Sequence, residues 1–228
     1  MGLALLGAVV CSPAAPSTYS VAKKTASQEK RELVEKLELE TIALVRQTES
    51  NFLAPYCSGV WVDYDKIITA LHCVKDELSE NGAVNLFLYQ VKDDEGKPGR
   101  KSKIIKTDDE NDLALLLADP KTIPLYHPVA IPADESWDGE HINIVGHTNG
   151  LWWTYIEGVI SSTRINTTKE GIPIVVLQIS SPVWFGNSGG GAFNDEGRLV
   201  GISSWISLKV PLMSFFIHHS TLIRLMSK

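Results

Sequence analysis

Positive charge is in short supply in this chain. Lys and Arg number 21 against 27 Asp and Glu in 228 residues, a formal net charge of −6, which disfavours a general nucleic-acid-binding role. The one basic run, Arg100, Lys101, Lys103 and Lys106, reads as a solvated loop edge. An apolar run long enough to cross a membrane is also missing: residues 2–10 are apolar but too few to span a bilayer. Cysteine is scarce, with only Cys11, Cys57 and Cys73. His127, His141, His147, His218 and His219 show no zinc-ligand spacing with them, so no metal site and no cofactor is expected. Internal repeats and long low-complexity segments are absent. What remains is an ordinary globular composition, 44% hydrophobic and 21% charged, long enough for one domain of two small barrels or two lobes.

The beginning of the chain has its own character. Residues 2–10 resemble the apolar stretch of a secretory signal, although a basic segment before it is missing. Residues 12–18, rich in Ser, Pro and Ala, have the composition of a flexible tether. Cys11 between the two is a candidate lipidation site, with simple cleavage and secretion as the other reading. Residues 1–25 are therefore set apart as a signal-like and tether segment. From Thr25 the pattern changes. Thr25 and Gln28 form a capping-box pair, Leu33 and Leu37 share a helical face, and Glu32 and Lys36 are placed to pair. These features predict a helix over residues 26–39 that packs outside the first barrel.

Beyond the helix the chain alternates short strand patterns with turn signals, which predicts an all-β fold of antiparallel barrels. The first barrel is expected over about 41–119. Its strands fall at 41–47, 59–62, 67–70, 84–91, 104–105 and 113–117, with an exposed loop at 93–99. Residues 120–138, with four prolines, read as a connection. The second barrel is expected over about 139–218, with strands at 142–145, 153–160, 174–179, 192–193 and 199–206 and a hairpin turn at 194–197. Ser220 is a candidate cap for a short C-terminal helix.

Three segments carry chemistry. Gly186-Asn187-Ser188-Gly189-Gly190 offers a serine on a glycine-rich turn. His72 ends an apolar strand beside Cys73, and Asp112 leads into the apolar run 113–116. A serine hydroxyl needs a base within hydrogen-bond reach to become a nucleophile. A histidine can take that proton and return it to a leaving group, and a buried carboxylate fixes its tautomer. Asp108, Asp109 and Glu110 crowd Asp112, but only Asp112 runs directly into the apolar segment.

The segments ITALHCV, NDLALL, GNSGG and GISSW, in that order, resemble the histidine, aspartate, serine and cleft-strand motifs of the chymotrypsin/trypsin-like serine proteases. INIVGHTNG and TYIEGVISS are similar to the second barrel of bacterial high-temperature-requirement proteases. The resemblance covers roughly residues 41–225. It implies two antiparallel six-stranded barrels with the cleft between them. His72 would be the general base, Asp112 its orienting acid and Ser188 the nucleophile, with Gly186 and Ser188 N–H groups as the oxyanion hole. It also implies a Cys57–Cys73 disulfide, hence a protein working outside the reducing cytosol, whether secreted, periplasmic or lipid-anchored. Pro182, Ser204, Trp205 and Ile206 would line the substrate site.

Two departures matter. Asn187 stands where the animal enzymes carry the aspartate that pairs with a newly released N-terminal amine. An amide cannot make that ion pair, and the usual activation motif is missing, so activity without zymogen cleavage is expected. No acid lies between residues 179 and 187, so a buried Arg or Lys of a substrate would lack a partner. A preference for small or medium apolar side chains follows. The expected partner is a protein or peptide substrate. The chain ends soon after the protease domain, which predicts a monomer with no appended peptide-binding domain. The rivals are a non-catalytic binding module on the same fold and an esterase using the same three residues. An α/β-hydrolase order, Ser188 then Asp195 or Glu196 then His218 or His219, needs a helix after the serine. Three glycines and a turn cluster are poor material for one.

Overall fold

The computed structural model describes residues 24–47, 53–79, 83–90, 99–119, 130–167, 171 and 173–227. The signal-like segment with Cys11, the tether, His127 and most of the expected 93–99 loop lie outside them. Helix α1 (Ala26–Glu40) leads into β1 (Thr41–Gln47), β2 (Leu53–Trp61), β3 (Lys66–Ala70), β4 (Ala83–Tyr89), β5 (Arg100–Asp108) and β6 (Leu113–Ala118). There follow β7 (His141–Gly146), β8 (Thr154–Thr167), β9 (Pro173–Ser180), β10 (Gly191–Phe193), β11 (Leu199–Ile206), β12 (Met213–His218) and α2 (His219–Ser227). The strands close into two barrels of antiparallel pairs, in spatial order β1-β2-β3-β6-β5-β4 and β10-β11-β12-β9-β8-β7. This is the all-β, two-barrel architecture with a helix at each end that the motifs implied.

The apolar run of β6 shows why the barrels dock. Ala114 and Leu116 point into the first barrel with Trp61, Ile67 and Leu86. Leu113 and Leu115 point the other way, into a core shared with Val145, Trp153, Phe193 and Ile202 of the second barrel. A strand buried on both faces loses the polar alternation of a half-exposed one. Burying such side chains contributes about 1.5–3 kcal/mol each, so the interface between barrels is a true core. The connection follows this seam: the Ala130 N–H donates to the Trp61 carbonyl of β2 at 2.8 Å, and Ala133 N–H to Leu199 O of β11 at 2.8 Å.

The structure corrects several expectations. Helix α1 is capped by the expected Thr25–Gln28 box, but it is not confined to the first barrel: Leu37 enters the core shared by both, and its lysines anchor it to the second. Lys30 Nζ donates to Asn143 Oδ1 at 2.6 Å and Lys36 Nζ to the Gly197 carbonyl at 2.9 Å. Lys36 pairs with Glu40 and Glu32 with Lys24, not with each other. The basic run is no loop edge: it lies on β5, paired to both β4 and β6, with Lys101 and Lys103 exposed and Ser102 buried. Strand β8 extends to Thr167 because its polar second half pairs with β9 as an exposed ribbon, held by main-chain bonds without a buried face. Strand β12 had no counterpart in the sequence pattern, because Ser214 takes a core position while Phe215 stacks outside on Trp205. Helix α2 begins at His219 with Ser220 already inside it; the His218 Nδ1, two residues back, accepts the Ser220 N–H at 3.2 Å in the capping role.

Candidate active site

Strand β3 ends at Ala70, and the chain tightens into a turn over Leu71–Cys73 that carries His72. Two anchors hold this turn. Cys73 is bonded to Cys57 of β2, closing a loop of a size whose cross-link contributes about 3 kcal/mol. The Leu71 N–H donates to the Asp112 carbonyl at 2.9 Å. Asp112 sits at φ +52°, a left-handed conformation that Asp and Asn tolerate better than other non-glycine residues. The preceding turn is set by Asn111, whose backbone and side-chain N–H groups bind the Asp108 carboxylate at 3.1 and 2.9 Å. Asp108 is thus occupied by Asn111, while Asp112 faces the histidine.

The Asp112 carboxylate grips His72 twice. Oδ2 lies 2.7 Å from His72 Nδ1, and Oδ1 accepts the His72 backbone N–H at 2.9 Å. The Ser204 hydroxyl of β11 also donates to Oδ2. Burial pushes the Asp112 carboxyl up, but the bonds from His72 and Ser204 outweigh it and hold the group below the usual carboxylate range. Asp112 is therefore an acceptor at neutral pH, which assigns the proton between the two groups to His72 Nδ1 and leaves Nε2 as the basic nitrogen.

Ser188 lies on the turn between β9 and β10. The Phe185 carbonyl accepts the Asn149 N–H at 2.6 Å, the Gly186 carbonyl accepts the Ser58 hydroxyl at 2.8 Å, and the Asn187 and Ser188 carbonyls accept the Gly190 and Ser58 N–H groups at 2.8 Å each. All four peptide planes are thereby fixed. In a trans peptide the N–H points opposite its carbonyl, so Gly186 and Ser188 N–H groups are turned the other way. Neither donates to a protein acceptor among the described residues. Gly186 is required here: its φ is +94°, and a Cβ would fall 2.2 Å from the His147 carbonyl. Asn187 is fully buried, and its Nδ2 donates to Thr148 Oγ1 at 2.6 Å and to the Trp184 carbonyl at 3.2 Å.

His72, Ser188, Gly186, Ser204, Trp205 and Ile206 all line one cavity of about 560 Å³. Its other walls are largely apolar, with Tyr56, Val183, Trp184, Phe185 and Leu208, and no Asp, Glu, Lys or Arg is among them. Pro182 is not part of this wall. It is exposed, and its neighbour Val183 points inward instead, as alternation along an extended segment requires. The sulfurs of Cys57 and Cys73 lie near His72 in a cluster of metal-ligand type, but they are bonded to each other and present no thiolate.

Residues 57–202 match the family model described as a trypsin-like peptidase domain. The chain belongs to the trypsin-like peptidase family. It is 35% identical over 151 residues to the magnetosome formation protease MamE of Paramagnetospirillum magneticum, a match covering 65% of this chain and 20% of that protein. It is 33% identical over 109 residues to a probable periplasmic serine endoprotease, DegP-like, of Pseudomonas fluorescens, covering 46% of this chain and 22% of that one. The chain thus spans about a fifth of the length of these relatives. Among solved structures, the active form of the Rv3671c protease of M. tuberculosis superposes with a TM-score of 0.71 at 17% identity, covering 97% of this chain and 94% of that one. The serine endoprotease of Yersinia pestis gives 0.66 at 20% identity, covering 90% and 66%. At those identities the likeness is one of fold.

Sequence reasoning missed several residues of this trypsin-like site. Ser58, which holds the serine turn through both its N–H and its hydroxyl, carries no motif of its own. His147 is fully buried with Nδ1 2.9 Å from the Ser58 hydroxyl, and burial pushes its pKa down to about 3. The sequence signals are slight: Ser58 follows Cys57, and His147 lies within INIVGHTNG at the end of the β7 strand pattern, with nothing to mark its role.

Proposed function

We propose that this chain is a serine endopeptidase that works through an acyl-enzyme intermediate, with His72, Asp112 and Ser188 as its catalytic residues. The observation that carries the reading is the shared cavity: His72, anchored through Nδ1 by Asp112, lines it together with Ser188 and Gly186, whose N–H groups are free of protein acceptors among the described residues. Ser188 Oγ attacks the scissile carbonyl carbon as its proton passes to His72 Nε2. The oxyanion is held by the Gly186 and Ser188 N–H groups, each such donor being worth about 100- to 1,000-fold in rate. The C–N bond then breaks, the departing amine takes the proton from His72, and a water repeats the sequence to release the acid and free Ser188. Asp112 keeps the imidazole in the required tautomer and stabilises its charged form.

Asn187 supports activity without zymogen cleavage, since neutral hydrogen bonds to Thr148 and Trp184 hold the turn where an ion pair would otherwise be needed. The disulfide beside His72 supports an extracytoplasmic location, as does the periplasmic designation of one relative. The apolar cavity wall without a carboxylate supports small or medium apolar side chains at the primary site. Profiling with peptides that vary that residue is expected to favour them, and efficient cleavage of peptides offering only Arg or Lys would remove this specificity.

The reading as a whole is tested by fluorophosphonate labelling followed by intact mass. One adduct is expected on the wild type and none on Ser188→Ala. Unlabelled wild type, or equal labelling of both, would sink the assignment of Ser188. A matched ester and amide substrate then separates an endopeptidase, which turns over both, from an esterase.

A further inference from the structure

A hydroxyl–imidazole pair, Ser58 and His147, contacts the backbone of the serine turn outside the cavity lining. The Ser58 hydroxyl stands between two acceptors: it donates to the Gly186 carbonyl at 2.8 Å and lies 2.9 Å from His147 Nδ1. A hydroxyl has one proton. If that proton goes to Gly186, His147 must carry hydrogen on Nδ1 and donate it to Ser58 Oγ. The opposite tautomer would turn the hydroxyl toward Nδ1, strip the Gly186 carbonyl of its donor and leave a buried Nε2–H with no acceptor. In the first arrangement only the bare Nε2 lacks a partner, and it is indeed a buried atom without one. The first arrangement satisfies more groups.

We propose that Ser58 and His147 are positioning residues for the oxyanion hole, a relay from His147 Nδ1–H through the Ser58 hydroxyl to the Gly186 carbonyl that fixes the peptide plane between the two oxyanion donors. The proposal rests on the endopeptidase reading above. Ser58 belongs to β2 of the first barrel and His147 follows β7 of the second. The His147 ring is held edge-on by Trp153, with ring centres 5.1 Å apart, and by Trp152 at 6.0 Å. Trp152 in turn stacks on Trp153 and meets Tyr89 of β4 edge-on. Ser58 N–H binds the Ser188 carbonyl at 2.8 Å as well, so a single residue of the first barrel grips the turn on both sides of Asn187. Neither Ser58 nor His147 lines the cavity.

Kinetics and NMR on the full chain test this. Ser58→Ala and His147→Phe are expected to lower kcat about 10- to 100-fold, part of the loss of a whole oxyanion donor, with KM changed less than about twofold. The double variant should be no slower than the worse single one, since both cut the same relay. His147→Asn should recover most of the activity, because its Nδ2 sits on the same bond from Cγ as the imidazole Nδ1 and can donate to Ser58. Thermal unfolding separates these effects from loss of fold, which would strike kcat and active-enzyme concentration together and would not be rescued selectively by Asn. Nitrogen-15 spectra of the wild type should show His147 protonated on Nδ1 and bare on Nε2. Undiminished kcat in Ser58→Ala, or the reverse tautomer, overturns the relay alone. A wild type that neither reacts with fluorophosphonate nor cleaves peptides overturns the endopeptidase reading and the relay with it.

Discussion

Asp112→Asn is expected to lower kcat by about 10,000-fold while leaving the fold unchanged. The carboxylate accepts from two donors on one residue, His72 Nδ1 at 2.7 Å and His72 N–H at 2.9 Å. An amide has one acceptor oxygen. If its NH2 group replaces Oδ2, it faces Nδ1 and can be accommodated only by moving the imidazole proton to Nε2, where it would block the proposed proton transfer from Ser188. If the amide flips, its NH2 group meets the His72 backbone N–H, donor against donor. Either way the histidine loses the tautomer or the orientation that the reaction needs. The Ser204 hydroxyl can reverse its own bond and gives no rescue. Backbone strain does not enter, since asparagine tolerates the left-handed conformation of this position, φ +52°, as well as aspartate does. Steady-state kinetics and an unfolding curve on the purified variant check both halves of the expectation. A fall of less than about tenfold in kcat would remove Asp112 from the site.

Acid should unfold this protein early, and His147 should be the largest single reason. Its pKa is pushed down to about 3 by burial, against 6.5 for the ordinary group. A histidine with a depressed pKa is neutral in the fold, whereas the unfolded chain takes up its proton once the pH falls below about 6.5. Stability from this source is therefore complete above that pH and drains away as the pH falls toward 3. The whole span costs the fold up to about 5 kcal/mol, comparable with the total stability of many domains. His218, pushed to about 4 by burial and then by the charge of His219, acts in the same direction. Glu40 and Glu140 oppose it: burial pushes both up, so the folded state holds their protons more tightly as the pH drops. Urea midpoints at pH 7, 5 and 4 should fall steeply for the wild type. They should fall less steeply for His147→Asn, whatever that variant's stability at pH 7. Equal slopes in the two proteins would mean that the imidazole is not held neutral.

The legible parts of this molecule are those where chemistry and backbone demand the same residue. GNSGG could be read because Gly186 and Gly189 adopt positive φ, +94° and +82°, that other side chains resist. Asp112 stood out because a strand buried on both faces begins immediately after it. β12 stayed hidden for the opposite reason. Its inward Ser214 is satisfied by the Ile179 carbonyl at 3.0 Å, and its Phe215 finds an outside partner in Trp205, so the alternation is broken at this pair although Phe216 and Ile217 are buried. The basic run hid the extent of β5, expected only at 104–105, because charges can ride the exposed face of a fully paired strand. Ser58 and His147 were illegible in another sense. They are about 90 residues apart in sequence and meet only once two barrels have closed and docked.

Helix α1 carries a consequence for the order of assembly. It precedes both barrels in the chain, yet its anchors, Asn143 and Gly197, lie 113 and 161 residues beyond the lysines that bind them. Until the second barrel exists the helix has only first-barrel partners such as Gln90, whose Nε2 donates to the Leu39 carbonyl at 2.9 Å, and loop-closure entropy opposes an early search for the distant ones. The strands of the first barrel can close among themselves beforehand. Docking through Lys30 and Lys36 is completed only when the last barrel exists, so it reports completion: full protection of the helix from hydrogen exchange should arise in the final kinetic phase, after both barrels have formed.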